Sequence, residues 1–219
     1  MDTLLIACDF DGTITRRDTL HLIVEEFGTR GLWQAVEPRL RSGEVTLEQA
    51  MQEEFASVRA SSDEVRELVL REAGLRAGFR EFVAWSRAAG HRLTVLSSGF
   101  RVVIDALLGA WGLEGLPVTS HDAAFSRDGC RIEWSDRGER CAVCGRHCKR
   151  HDLAAVRRGE PVVFIGDGVS DRCAALAADV VFARAHLARD LAAAGRPYEP
   201  FDDFTQVRRR LLRHPALAA

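Results

Sequence analysis

The sequence predicts an α/β fold built on a largely parallel sheet, and three observations carry that prediction. Short apolar runs at residues 4–8, 161–165 and 180–183 lack the alternation of a half-exposed strand, so they read as buried parallel strands, and 92–96 reads as a further strand among them. Helical patterns separate these runs, which implies right-handed crossovers back onto one sheet. Three runs end in polar clusters, at Asp9, Ser97 and Gly166-Asp167. In open sheets of this kind ligands sit outside the carboxyl ends of the strands, so the three clusters are expected to meet.

The run at 4–8 is too short for a helix and leads into Asp9-Phe10-Asp11-Gly12-Thr13-Ile14-Thr15. In extended backbone, residues two apart point the same way, so Asp9 and Asp11 can face one crevice. Gly12 allows a close turn beneath them. Thr13 can offer a hydroxyl and a backbone N–H to an anion. A carboxylate nucleophile beside a second acid suits phosphoryl transfer through an aspartyl-phosphate.

Residues 16–76 read as helices. Leu20, Ile23, Val24 and Phe27 form one stripe, stopped at Gly28. The pattern around Pro38 gives no clear element. Thr46 with Gln49 and Ser61 with Glu64 are capping boxes opening two more helices. The expected division is a core of residues 1–15 and 77–219, with 16–76 as a small helical cap inserted after the first strand. Such a cap can close over a site and expel water; the alternative is a set of helices on one continuous core.

Further on, 79–89 is predicted helical, 92–96 a strand with the polar exit Ser97-Ser98-Gly99-Phe100, and 102–111 helical. A short strand at 118–120 and a hairpin over 123–134, turning at Asp128-Gly129, come next. A cysteine-rich loop at 141–149 opens a helix at 152–158. The strand at 161–165 ends in Gly166-Asp167-Gly168-Val169-Ser170-Asp171. A helix through Leu176, the strand at 180–183, and helices at 187–194 and 204–212 around a turn at 197–200 complete the chain.

Composition narrows the function classes. With 219 residues, 47% apolar and 28% charged, the chain has the make-up of an ordinary soluble globular protein. A formal net charge of -2 gives no whole-chain case for nucleic-acid binding, and no run has the length of a membrane span. Arg208, Arg209 and Arg210 suit the carboxyl end of a helix. The first residues do not read as a signal peptide, so a cytoplasmic protein is expected. Six cysteines in a reducing compartment point to thiols or a metal rather than a disulfide framework.

The string DFDGTIT, the serine at 97, a lysine ahead of the strand at 161–165 and the G-D-x-x-x-D at 166–171 occur in order. Together they resemble the four motifs of the haloacid dehalogenase superfamily of phosphatases. The resemblance implies a Rossmann-like parallel sheet flanked by helices. It implies Asp9 as nucleophile and Asp11 as the acid that protonates the leaving alkoxide and later deprotonates water. Ser97, with Thr13 and Ser98, would hold the phosphoryl oxygens, and Lys149 would offset the charge of phosphate beside Asp9. Arg146 and Arg150 are neighbouring cations that sequence does not exclude from that role. Mg²⁺ would be held by Asp9, the Asp11 carbonyl, Asp167 and Asp171, the last directly or through water. The substrate class is a small phosphorylated metabolite.

The helical insertion resembles the cap of the phosphoserine-phosphatase-like branch. Asp18, the cysteine-rich approach to Lys149, GDGVSDRCAALAADVVFAR and Tyr198-Glu199-Pro200-Phe201-Asp202-Asp203-Phe204 are most similar to MtnX-like phosphatases. That implies 2-hydroxy-3-keto-5-methylthiopentenyl-1-phosphate, an intermediate of methionine salvage, as substrate. Phe27, Trp33, Met51 or Phe55 would suit its methylthio tail, though such residues are more often core. Phosphoserine, with Glu25, Glu26, Arg39 or Arg59 as cap contacts, and phosphocholine or phosphoethanolamine are the alternatives. Cys141, Cys144 and Cys148, with His151, His147 or Cys130, are candidate ligands of a structural Zn²⁺, whereas Cys8 and Cys173 read as core. A zinc-dependent interaction surface on an inactive scaffold is the non-enzyme alternative.

Overall fold

The computed structural model describes residues 3–135, 141, 144 and 148–214. Its centre is a seven-stranded sheet. The strands are β1 (Leu5–Cys8), β2 (Arg92–Phe100), β3 (Val118–Ser126), β4 (Gly129–Glu133), β5 (Val162–Gly166), β6 (Val180–Ala183) and β7 (Glu199–Pro200). They lie in the order β4-β3-β2-β1-β5-β6-β7, parallel throughout except for the β3–β4 hairpin. β1 is central, paired with β2 on one side and β5 on the other, which brings the ends of all three strands together. Its four residues are all buried, as a strand covered on both faces requires.

Two strands differ from their expected extent. β2 runs on through Ser97 to Phe100, with a register irregularity against β3 between Leu96 and Phe100, so the polar exit is itself extended backbone. The segment predicted as a turn at 197–200 contributes β7, whose proline occupies the edge where no further N–H is needed.

The helices before β2 are α1 (Thr19–Phe27), α2 (Leu32–Ser42), α3 (Leu47–Phe55), α4 (Ser62–Glu72) and α5 (Phe79–Ala88). Both capping boxes form: Gln49 N–H donates to Thr46 at 3.1 Å and Thr46 N–H to Gln49 at 2.8 Å, with the same exchange between Ser61 and Glu64. Pro38 lies inside α2. The later helices are α6 (Arg101–Ala110), α7 (Lys149–Val156), α8 (Arg172–Ala175, after a 3₁₀ turn at Val169–Asp171), α9 (Ala185–Ala193) and α10 (Phe204–Leu211). α7 begins three residues earlier than the pattern suggested, which makes Lys149 its first residue.

One apolar cluster runs unbroken from the sheet into the helices of the insertion. Ile23, Phe55, Val58 and Leu68 belong to the same buried group as Val95, Phe100, Ile104 and Phe125. Phe55 meets Phe100 edge-on at 4.8 Å between ring centres. Val36, Val45 and Ala50, where α2 and α3 touch, form a separate small cluster. A third group on the other face of the sheet includes Leu5, Ala7, Phe164 and Leu187. Among the described residues, no helix is long and apolar enough to cross a membrane.

Candidate active site

The chain leaves β1 into Asp9 and turns at Gly12, whose positive φ of 75° suits glycine; a Cβ there would collide with the Asp167 carboxylate. Phe10 is fully buried, so Asp9 and Asp11 face the other way. Asp9 and Asp11 just past β1, Ser97 on β2 and Asp167 just past β5 line one cavity of ≈ 180 Å³. The three polar strand ends therefore do meet.

Lys149 reaches this centre from the start of α7, 1% exposed. Its ammonium donates to Asp9 and, at 2.6 Å, to Asp171. Burial opposes its charge, but Asp171 and Asp9 outweigh that and hold its pKa above the usual value. Burial and the nearby Asp171 push Asp9 well up, against the pull of Lys149. Asp171, fully buried, has both oxygens engaged: one accepts from Lys149, the other from the Asp167 and Gly168 N–H groups at 2.9 Å each.

Asp11 is held from the insertion. The N–H of Thr19, in the first turn of α1, donates to it at 3.0 Å, and the Thr19 hydroxyl donates to the same oxygen. This amide is one of those a helix start leaves free for an anion. Ser97 approaches the other Asp11 oxygen at 3.5 Å and accepts from Gly99 N–H at 2.8 Å. Burial raises Asp11 above the usual carboxylate value, with the Thr19 hydrogen bonds opposing, a direction that suits a general acid.

Thr13 is turned away from the cavity: its hydroxyl donates to Asp167 at 3.1 Å and its N–H to Phe10 O at 3.3 Å. Burial and Asp171 raise Asp167 to about 6. Ser98 lines the cavity beside Ser97. Asp9, Asp167 and Asp171 each offer an oxygen within 4.8 Å of the others, and such a hard-oxygen set fits a divalent cation such as Mg²⁺. Asp171 is engaged by Lys149 and two backbone amides, whereas Asp9 and Asp167 line the cavity.

Sequence reading missed several residues. Arg76, just past α4, spans the turn after β1 and donates to Gly12 O and Thr13 O at 2.6 Å and to Thr15 O at 3.0 Å. Arg184, after β6, adds a bond to Gly12 O at 3.2 Å. Glu54 and Asp18 face the cavity, and burial, chiefly, raises Glu54 to about 8 and Asp18 to about 7. Arg76, Arg184 and Glu54 have no local pattern, and a lone arginine between two helices looks like any surface cation; Asp18 was legible in the sequence and caps the start of α1, but its place on the cavity was not.

Of the proposed apolar wall, Trp33 and Met51 line the cavity, with Leu20, Leu40 and Leu47. Phe55 is core and Phe27 packs against the core. Arg39 pairs with Glu44 and Glu53 on the surface of the insertion, and the Arg59 guanidinium donates to the carbonyls of Ala56 and Val58. Among the described lining residues none is Lys or Arg, whereas Asp18, Glu37 and Glu54 are present. His151 lies in the first turn of α7 and does not join the thiols; Cys141, Cys144 and Cys148 are met instead by Cys173, half-buried in α8 rather than in the core. His147, Arg146 and residues 142–143 and 145 lie outside the described residues.

A family model described as haloacid dehalogenase-like hydrolase matches residues 6–176. The chain is 32% identical over 208 residues, 93% of each chain, to a protein of Geobacillus kaustophilus named 2-hydroxy-3-keto-5-methylthiopentenyl-1-phosphate phosphatase. It is 29% identical over 217 residues, 95% of each chain, to a protein of the same name from Brevibacillus brevis. Among solved structures, a phospho-aspartyl intermediate analogue of phosphoserine phosphatase superposes with a TM-score of 0.72 at 15% identity. It covers 98% of this chain and 99% of that one, a likeness of fold.

Proposed function

The chain belongs to the haloacid dehalogenase-like hydrolase family, and on that premise we propose that it is a Mg²⁺-dependent phosphatase of small metabolites working through an aspartyl-phosphate. The observation that carries this reading is the convergence of Asp9, Asp11, Ser97 and Asp167 on one cavity, with Lys149 paired to Asp9 from behind. An Asp9 oxygen attacks phosphorus and the ester P–O bond breaks. Asp11, with its raised pKa, gives its proton to the leaving alkoxide. It then takes a proton from the water that attacks the aspartyl-phosphate, releasing phosphate and restoring Asp9. Ser97 and Ser98 hydrogen-bond the phosphoryl oxygens, and Thr13 holds Asp167 in place. Lys149 offsets the repulsion between phosphate and the carboxylates. Asp9, Asp167 and the Asp11 carbonyl would hold Mg²⁺, with Asp171 orienting Lys149 and Asp167; the ion supplies charge neutralisation for phosphate among acids.

The substrate we favour is 2-hydroxy-3-keto-5-methylthiopentenyl-1-phosphate, which would place the chain in methionine salvage in the cytoplasm. Two things support it besides the names of the relatives. Leu20, Trp33, Leu40, Leu47 and Met51 offer a thioether tail an apolar wall beside the carboxylates. Glu54, raised to about 8, keeps its proton at neutral pH and can donate a hydrogen bond to a keto or hydroxyl oxygen. A phosphoserine carboxylate would meet Asp18 and Glu37 there with no described lysine or arginine on the same cavity. Those acids instead favour phosphocholine or phosphoethanolamine as the second reading, with a cation in place of the neutral tail. Residues 16–76 act in this reading as a specificity cap.

The test is phosphate release with Mg²⁺ across a panel holding the methionine-salvage ester, phosphoserine, phosphocholine and phosphoethanolamine. A kcat/KM at least tenfold higher for the first is expected. Preference for a choline or ethanolamine ester moves the substrate and keeps the mechanism. Asp9→Asn is expected to lower kcat by about 10³-fold or more with the fold intact. An Asp9→Asn enzyme as active as the original would overturn the aspartyl-phosphate route.

A further inference from the structure

Away from the carboxylates, four thiols converge from two separate parts of the chain. Cys141, Cys144 and Cys148 come from the segment before α7, and Cys173 from the first turn of α8. Their four sulfurs all lie within 4.8 Å of one another. A tetrahedral zinc with Zn–S bonds of about 2.3 Å keeps its sulfurs roughly 3.8 Å apart, so a small contraction of this group completes the geometry. Four sulfur donors and no hard oxygen select a soft or borderline cation over Mg²⁺. Cys144, Cys148 and Cys173 also line a cavity of ≈ 420 Å³, which gives an ion a path from solvent.

We propose that Cys141, Cys144, Cys148 and Cys173 form a structural Zn²⁺ site that staples the segment before α7 to α8. Its place in the chain gives it a purpose. Cys148 immediately precedes Lys149, and Cys173 stands two residues after Asp171. Lys149 and Asp171 are the pair joined at 2.6 Å behind Asp9. A single ion bound to both neighbouring cysteines fixes the lysine and the aspartate relative to each other without touching substrate. The C-x-x-C-x-x-x-C spacing shows three of the ligands; the fourth is 25 residues away from Cys148 in the chain (173 − 148) and becomes visible only when α7 and α8 pack together. The proposal stands apart from the phosphatase reading, because metal content is measured without turnover.

The deciding measurement is a Co²⁺ titration of the reduced, untagged full-length protein after chelation and removal of chelator. The intense near-ultraviolet thiolate-to-cobalt bands and the visible bands of tetrahedral cobalt are expected to saturate at one Co²⁺ per chain, and to be displaced by Zn²⁺. Cys173→Ser should weaken this binding at least tenfold, whereas His151→Ala should leave it unchanged. If Cys173→Ser does not fold, Cys173→His retains a ligand and is expected to bind with weaker charge-transfer bands. Absence of thiolate bands in the reduced original protein overturns the site, including when the protein is isolated with these cysteines as disulfides. Binding unchanged in Cys173→Ser also overturns it.

Discussion

At the scale of single residues, the centre depends on buried charges whose partners come from distant parts of the chain. Arg76 is the clearest case. It is 8% exposed, and its guanidinium meets three carbonyls of the turn after β1 at once. Burial, together with nearby Arg184, lowers its pKa to about 10, so it stays charged at neutral pH. Arg76→Ala removes the guanidinium donor from Thr13 O and Thr15 O, leaves Gly12 O only its longer bond from Arg184, and should cost about 3 kcal/mol in denaturant unfolding. Arg76→Lys should recover little of it, because one ammonium cannot reproduce the planar fork. Equal stability of Arg76→Lys and the original protein would refute the clamp. Glu54 behaves oppositely, since its folded pKa of about 8 lies above the ordinary 4.5. The folded protein thus holds a proton that the unfolded chain releases between those values. This contribution to stability is complete below about pH 4.5 and is lost as pH rises through 8. Glu54→Gln keeps the shape without the charge and should flatten that slope, gaining about 1–2 kcal/mol at pH 8 after screening by water in the cavity. Parallel stability–pH curves for the two proteins would show that Glu54 ionises freely.

At the scale of elements, α2 differs from its neighbours. Of its eleven residues only Val36 is buried, whereas α4 buries Val65, Leu68 and Val69 against the main core. Pro38 removes one N–H from the helix ladder. α2 nevertheless supplies Trp33, Glu37 and Leu40 to the cavity wall. A substrate-facing element with little buried surface is drawn from the least stable part of the fold, where opening is cheap. Hydrogen exchange should therefore show α2 amides opening well before those of α4, and slowing when a substrate analogue is present. Protection of α2 equal to that of α4 would count against opening at this corner.

At the scale of the whole molecule, the insertion and the sheet share one apolar cluster, since Phe55 and Leu68 are continuous with Phe100 and Ile104. Thr19 of α1 also holds Asp11, tying the insertion to the carboxylates by hydrogen bonds. Calorimetry should show a single transition with equal calorimetric and van't Hoff enthalpies, because residues 16–76 bury most of their apolar side chains in the cluster they share with the sheet. Two separated transitions would mean that the insertion has a core sufficient to itself. Motion over the site would then belong to the whole insertion rather than to α2 and its contact with α3.

The sequence by itself determined the parallel sheet apart from its edge strand β7, most of the helices, and the polar residues at the strand ends. Buried parallel strands need continuous apolar runs, and polar residues at their ends can be read directly from where those runs stop. Asp9, Asp11, Ser97 and Asp167 were legible for that reason, as were both capping boxes, whose partners are three residues apart. Only the tertiary structure decided which distant groups meet. Arg76 and Arg184 reach the turn after β1 from elements far along the chain, Thr19 reaches Asp11 from the start of the next helix, and Cys173 reaches the other thiols only through the packing of α7 on α8. Thr13 had a free hydroxyl on paper until β5 brought Asp167 to 3.1 Å from it. Periodicity and spacing record local geometry, whereas contacts between distant segments are fixed by burial of apolar surface, which leaves no local mark on the polar residues it carries together.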